Sequence, residues 1–245
     1  MSIKINCDMG ESFGIWSMGN DEKIMPHINL ANLACGFHAS DSNTINKAVF
    51  LASKNDVMIG AHPSYQDIIN FGRKSIPHTK EEIINIVLYQ LGALNSFCLK
   101  HNTEISYVKP HGALYNDMIK DIEIFEGVLS AIKIFNSNLK LMILSTPKNE
   151  YYSKFAKKFD IELLYEAFAD RNYNIDGSLV SRTNDNAVIH DVEEVKNRIK
   201  ILKENGYIKT VCGRKLYLDV NTICVHSDNE GALNFIKKIK EVLDA

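Results

Sequence analysis

Along this chain, short apolar runs rich in β-branched residues alternate with longer segments of helical period. The short runs are KINCDMG (4–10), INLANLACG (28–36), DVMIGAHP (56–63), ISYVKPHG (105–112), LKLMILS (139–145), ELLYEAFA (162–169) and TICVHSD (222–228). Six or seven such strands separated by helices predict parallel βα units. The helical segments carry their own boundary signals. Thr79 with Glu82 forms a T-x-x-E capping box before EEIINIVLYQLGALNSF, and Asp191 with Glu194 repeats the pattern before VKNRIKILKEN, which Gly206 should close. In the final helical segment Leu233, Ile236, Ile239 and Leu243 share one face, with lysines on the solvated side.

No low-complexity linker or repeat divides the chain, so the expectation is one domain over 1–245. Two stretches lack period: QDIINFGRKSIPH (66–78) and DRNYNIDGSLVSR (170–182). Long βα loops of this kind usually serve function in a compact domain, and both are expected to border a site. The composition, 45% apolar and 24% charged, is that of an ordinary globular protein. A net charge of −2 gives no electrostatic reason to expect nucleic acid or an anionic membrane as partner. The five cysteines form no C-x-x-C pair and several lie in apolar runs, which suits a reducing compartment. No signal peptide is evident and no stretch is read as a membrane span, so the expected location is cytoplasmic.

Side chains two apart on a strand share a face. Asn6 and Asp8 are thus in phase on the first strand, and Asn32, Ala34, Gly36 and His38 on the second. Gly60 pairs with His62, Lys109 with His111, Glu166 with Asp170, and His226 with Asp228. The opposite phase is apolar nearly throughout, as expected where strands meet helices. Six strands therefore end in Asp, His or Lys on the inner or top face, and in βα barrels that rim is where sites form. Stability alone does not explain this, because burying unpaired charge is costly. On a purely structural reading, Asp8 or His38 would cap a turn or helix, and His62, preceding Pro63, would bond a backbone carbonyl. These residue types suit acid–base chemistry, with Lys109 supplying a fixed positive charge for an oxyanion or phosphate. Asp8 with His38, His62 or His226 would also suit a divalent metal, but no H-x-x-x-H spacing occurs, so no metal ligand is assigned. The phosphate-binding, dinucleotide-binding and nucleophile-elbow glycine motifs are absent.

The segments NCDMGESFG (6–14), ANLACGFHASD (31–41), IGAHPSYQD (59–67), FGR (71–73), YQLGAL (89–94), VKPHGALYN (108–116), EAFADRNY (166–173) and TICVHSDN (222–229) resemble those of the LamB/YcsF family. They run in order through nearly the whole chain. The resemblance implies a seven-stranded parallel β/α barrel, related to glycoside hydrolases and polysaccharide deacetylases. It implies a 5-oxoprolinase activity, the opening of 5-oxo-L-proline to L-glutamate with ATP cleavage, in a complex with subunits B and C. ATP, with Mg, would be the co-substrate of that complex. The signature positions carried over are Asn6, Asp8, Glu11, Asn32, His38, Asp41, His62, Arg73, Lys109, His111, Asp170, Arg171, Arg182, His226 and Asp228. Of these, Asp8, His38, His62, Lys109, His111 and His226 are taken as catalytic. Asn6, Glu11, Asn32, Arg73, Asp170 and Arg182 are taken as substrate-binding. Departures fall at Ser40, Ser42, Gln66, Asn70, Lys74 and Ser227, mostly changes of loop geometry.

In such a reaction Arg73, Lys109 and Arg182 would hold carboxylate and phosphate, and His111, His62 or Asp8 would act as base. Two rival readings stand beside it. One is a metal-dependent deacetylase or amidase needing no ATP; the other is a non-catalytic subunit that binds substrate or organises the complex. Lys109 is expected to serve charge stabilisation rather than the fold, so that deleting its charge would leave thermal stability little changed.

Overall fold

The computed structural model describes residues 3–181, 183–225 and 231–244. All seven apolar runs become strands: β1 (Lys4–Met9), β2 (Leu30–Ala34), β3 (Met58–His62), β4 (Ile105–Val108), β5 (Lys140–Leu144) and β6 (Leu163–Phe168), with a later strand closing the ring. Before that strand comes an antiparallel hairpin, β7 (Tyr207–Lys209) with β8 (Lys215–Tyr217), which the sequence reading did not anticipate. The closing strand is β9 (Thr222–Val225). It pairs in parallel with both β1 and β6, so the barrel order is β1-β2-β3-β4-β5-β6-β9.

Helices occupy the outside: α1 (Asp21–Ile24), α2 (Ser42–Lys54), α3 (Lys80–Lys100), α4 (Gly112–Lys120), α5 (Ile122–Asn136), α6 (Asn149–Ala156), α7 (Val192–Asn205) and α8 (Ala232–Asp244). The boundary signals act as expected. Thr79 and Glu82 close a reciprocal capping box on α3, Asp191 accepts from the Glu194 N–H at the start of α7, and Gly206 ends α7 in the left-handed region at φ 70°. α3 corrects one expectation. By length and composition it is apolar enough to cross a membrane. Here it buries Ile83, Val87, Leu91, Leu94 and Cys98 at helical spacing and packs beside α5.

Alternation sorts the strands as the sequence implied. The outward phase, including Cys7, Leu33, Ala61, Ile143 and Ile223, joins the main core beneath the helices. Inside the barrel a separate apolar group, Leu30, Tyr107 and Met142 with Leu164, lies toward the N-terminal ends of the strands. Gly60 faces it, and a Cβ there would meet the Tyr107 ring at 2.2 Å. Only glycine lets that ring cross the interior. Above this layer the inward residues are mostly polar, with Leu144 and Phe168 as apolar parts of the wall.

Asp21, in the first turn of α1, accepts the Gly10 N–H at 3.0 Å. Burial, reinforced by Glu11, raises its carboxyl from 3.8 to about 6. A folded-state value above the unfolded one means the folded form holds the proton more tightly. The carboxylate therefore costs stability as pH rises through the interval from 3.8 to about 6. Asp21→Asn keeps an acceptor for Gly10 without the charge. It is expected to stabilise by on the order of 1–2 kcal/mol at neutral pH. The gain should vanish in acid, as melting temperatures measured across the interval would show; equal gains at both ends would refute it.

Candidate active site

The barrel register sets the floor of the site. Asp8 pairs with Asn32, Asn32 with Gly60, and Glu166 with Thr222. Inward-pointing polar groups from neighbouring strands therefore stand at similar height. Lys109, just past β4, enters this layer and is almost fully buried. Its Nζ lies 3.0 Å from Asp8 Oδ1, 3.0 Å from Glu166 Oε2, 3.3 Å from Asn6 Oδ1 and 3.3 Å from Cys224 Sγ. Burial disfavours the ammonium, but the nearby Asp8, Cys224 and Glu166 outweigh it and hold Lys109 well above the usual lysine range.

The partners of this group are themselves fixed. Asn32 Nδ2 donates to Asp8 Oδ1 at 2.7 Å and to Asn6 Oδ1 at 2.8 Å, while the Tyr107 hydroxyl donates to Asn32 Oδ1 at 2.7 Å. Tyr115 donates to Glu166 Oε1 at 2.7 Å, and Asn6 Nδ2 to Glu166 Oε2 at 3.3 Å. Two carboxylates thus share one ammonium in a nearly water-free layer.

Three histidines sit beside it: His62 ends β3, and His38 and His111 lie just past β2 and β4. His62 Nδ1 is 2.6 Å from the Lys109 carbonyl, and His111 Nε2 is 2.9 Å from the Phe71 carbonyl. His38 Nδ1 is 3.0 Å from Ser64 Oγ, whose own proton goes to the Tyr65 carbonyl at 2.8 Å. Across the cluster, His62 Nε2 faces His111 Nδ1 at 3.0 Å and Asp8 Oδ2 at 3.5 Å; His38 Nε2 faces Glu11 Oε1 at 3.3 Å. The rings of His38 and His111 stack with centroids 3.8 Å apart. Burial, then neighbouring rings, holds His38 and His111 well below the ordinary histidine range. Gly72, at φ 65°, closes the loop over both rings; a Cβ there would lie 2.8 Å from His38 Cβ and 2.9 Å from His111 Cδ2.

Above floor and histidines opens a cavity of about 1060 Å³. Asp8, Glu11, His62, Lys109 and His111 line it, with Arg73 from one long loop and Arg171 and residues 178–181 from the other. Both long loops thus border it, as expected. Arg73 is exposed, its guanidinium 5.0 Å above the Phe71 ring. Asn6 and Asn32 lie beneath the cavity floor, completely buried. Asp170 is buried next to Arg171, which donates to the carbonyls of Val180 and Ala187 and so ties the second loop down. His38 is packed behind Glu11 and His111 and does not line the cavity. Arg182, His226 and Asp228 lie outside the described residues.

The structural roles considered for these residues are met only in part. Asp41, not His38, caps α2, accepting from Asn43 and Thr44; its second oxygen accepts the Gly14 N–H at 2.8 Å. His62 does bond a carbonyl, but with one nitrogen only, and the other faces the site. Sequence reasoning passed over Tyr107, Tyr115 and Ser64. Tyr107 was findable, since it is in phase with Lys109; Tyr115 and Ser64 act from a helix and a loop, where strand alternation is silent.

Glu11, His38, His62 and His111 each present one ligand atom, all within 4.8 Å of one another and all on buried residues, a set that a metal ion fits. Acid, base, cation and imidazoles gathered at the C-terminal ends of a closed parallel β/α barrel define the class: a barrel protein with its polar centre at the strand-end rim. The LamB/YcsF family model matches residues 3–245, and the chain belongs to that family. The A subunit of 5-oxoprolinase from Vibrio campbellii is 48% identical over 241 residues, covering 98% of this chain and 95% of that protein. A 5-oxoprolinase A subunit of Pseudomonas aeruginosa is 44% identical over 243 residues, covering 99% and 97%. The crystal structure of a "Lactam Utilization Protein" from Thermus thermophilus superposes with a TM-score of 0.92 at 34% identity, covering 100% of this chain and 96% of that one.

Proposed function

We propose that this chain is the A subunit of an ATP-dependent 5-oxoprolinase, acting in the cytoplasm with partner subunits B and C. The observation that carries the reading is end-to-end similarity, at up to 48% identity, to relatives bearing that subunit's name. The site supports it chemically, and the five free cysteines suit a reducing compartment.

A lactam carbonyl is a poor electrophile, and phosphorylation of its oxygen by ATP (with Mg) activates the carbon. One water adds there, giving a proton to a base. The carbon–nitrogen bond then breaks, and the ring nitrogen leaves as an amine once protonated. A second water releases phosphate from the resulting acyl phosphate, so lactam, ATP and two waters become glutamate, ADP and phosphate. Asp8 fits the base: Oδ1 is held by Asn32 and Lys109, and Oδ2 is turned toward His62. Lys109 supplies positive potential beneath the oxygen that gains charge. Asp8, once protonated, can return that proton to the leaving nitrogen, and Arg73 and Arg171 suit the substrate carboxylate or a phosphate at the cavity wall. Asn6 and Asn32 act by holding Asp8 and Lys109.

Since the sequence carries no phosphate-binding loop, ATP handling is assigned to the assembled complex. The isolated chain should therefore not turn over 5-oxoproline, and activity should require B, C and ATP together. The assay is glutamate release by the chain alone and with its partners, each with and without ATP. The buried Glu11–histidine cluster favours a second reading, a metal-dependent amidase. ATP-independent turnover of an amide by the chain alone would establish that reading and overturn the first.

A further inference from the structure

We propose that Glu11 Oε1, His38 Nε2, His62 Nε2 and His111 Nδ1 bind a divalent transition-metal ion, of the borderline class that takes imidazole and carboxylate together. The hydrogen bonds that fix the rings carry the inference. A carbonyl can only accept, so His62 must carry its proton on Nδ1, 2.6 Å from the Lys109 carbonyl. His111 must likewise carry its proton on Nε2, 2.9 Å from the Phe71 carbonyl. Ser64 spends its proton on the Tyr65 carbonyl, so its oxygen accepts from His38 Nδ1. In the neutral rings the three remaining nitrogens are lone-pair bearers, and they gather around Glu11 Oε1.

Two of those lone pairs, on His62 Nε2 and His111 Nδ1, face each other at 3.0 Å. The third faces a carboxylate oxygen at 3.3 Å. Such contacts repel unless something positive lies between them. A proton could serve one of these contacts at a time and would leave the other opposed. A single cation satisfies all four atoms at once. The spacing fits: ligands about 2.0–2.1 Å from a tetrahedral ion stand about 3.3–3.4 Å apart. Three of the six separations, 3.0, 3.3 and 3.8 Å, bracket that value, and all four atoms lie within 4.8 Å of one another. The rings of His38 and His111, stacked with planes 5° apart, must turn out of parallel for both lone pairs to meet one ion. Metal-binding histidines characteristically donate their other N–H to a carbonyl or similar acceptor, which orients the ring. Here all three do.

Asp8 Oδ2, 3.5 Å from His62 Nε2, stands beside this group at the cavity floor. An ion held by the four ligands would therefore adjoin the cavity rather than lie sealed beneath it. The inference rests on ring tautomers and not on the lactam reading. Binding is measurable on the chain alone, without substrate, ATP or partners.

The test uses the full chain, stripped with chelator and dialysed. Zn²⁺ is titrated calorimetrically, Co²⁺ is added as a spectroscopic probe, and bound metal is counted after desalting. The expected result is saturable uptake of one ion per chain, with visible Co²⁺ bands of low-symmetry nitrogen and oxygen ligation. Glu11→Gln and His111→Gln should each weaken Zn²⁺ binding by more than about 100-fold, beyond the 10–100-fold typical of changes outside the ligand set. Ser64→Ala, which keeps every ligand but frees His38, should fall within that smaller range and decides the matter if the ligand variants melt without cooperativity. Absence of saturable uptake by the stripped wild-type chain would overturn the site. So would unchanged affinity in Ser64→Ala together with either ligand variant that folds.

Discussion

Lys109→Met should abolish most turnover and also lower the melting temperature substantially. The ammonium is bracketed by Asp8 and Glu166, each 3.0 Å away, in a layer almost closed to water. Its removal leaves two buried carboxylates with no cation between them. Breaking a buried pair by deleting one partner typically costs about 3–5 kcal/mol. For a domain of this length that corresponds to a fall of roughly 6–20 °C. In the complex with B and C, loss of the positive potential beneath the reacting oxygen adds on the order of 10²–10³ in turnover. The sequence alone suggested otherwise, that deleting a desolvated charge would be neutral or stabilising. It could not reveal that both compensating carboxylates converge on one atom. Restoring charge balance provides the control: Lys109→Met with Glu166→Gln should recover a large part of the stability and none of the activity. Unchanged melting in the single variant would show that the carboxylates do not depend on Lys109.

The contrast marks where the sequence was informative. Strand alternation needs only local order, so Asn6, Asp8, Asn32, His62 and Lys109 could be assigned to the interior from their phase, and the barrel's seven strands could be located within a few residues. β4 ends earlier than its apolar run because Pro110 cannot continue the ladder and Gly112 opens α4. The hairpin at Tyr207–Tyr217 was missed because three-residue strands carry too little alternation to read. Partnerships across the ring were harder still. Glu166 was seen to share the inner face, yet its bond to Tyr115 joins residues 51 apart and depends on closure of the whole barrel. The imidazole cluster is invisible to motif spacing for the same reason. Its three rings come from the end of β3 and from beyond β2 and β4, and what marks them as a unit is which nitrogen of each ring a backbone carbonyl or Ser64 has claimed.

Neutralising Asp8 and neutralising Glu166 should have opposite consequences, although each removes one carboxylate from the same lysine. Asp8 lines the cavity, whereas Glu166 is fully buried beneath it. In Asp8→Asn the amide oxygen can still accept from Asn32 and Lys109, and Lys109 keeps Glu166, so the layer stays charge-balanced. Stability should change by no more than about 1 kcal/mol, within the range of a single exchanged hydrogen bond. The base, however, is gone, and kcat of the reconstituted complex should fall about 10²–10⁴-fold with KM little altered. Glu166 receives three donors, from Lys109, Tyr115 and Asn6. A Gln there turns an NH₂ toward one of them, leaving a buried donor unpaired at about 1–3 kcal/mol. Since its side chain cannot reach substrate, turnover should drop by about tenfold at most, through displacement of Lys109. Melting temperature, kcat and KM measured together on the two variants separate these outcomes. Near-normal kcat in Asp8→Asn would remove Asp8 as the base. A loss of turnover in Glu166→Gln equal to that of Asp8→Asn, with melting unchanged, would mean that the buried carboxylate takes part in the chemistry.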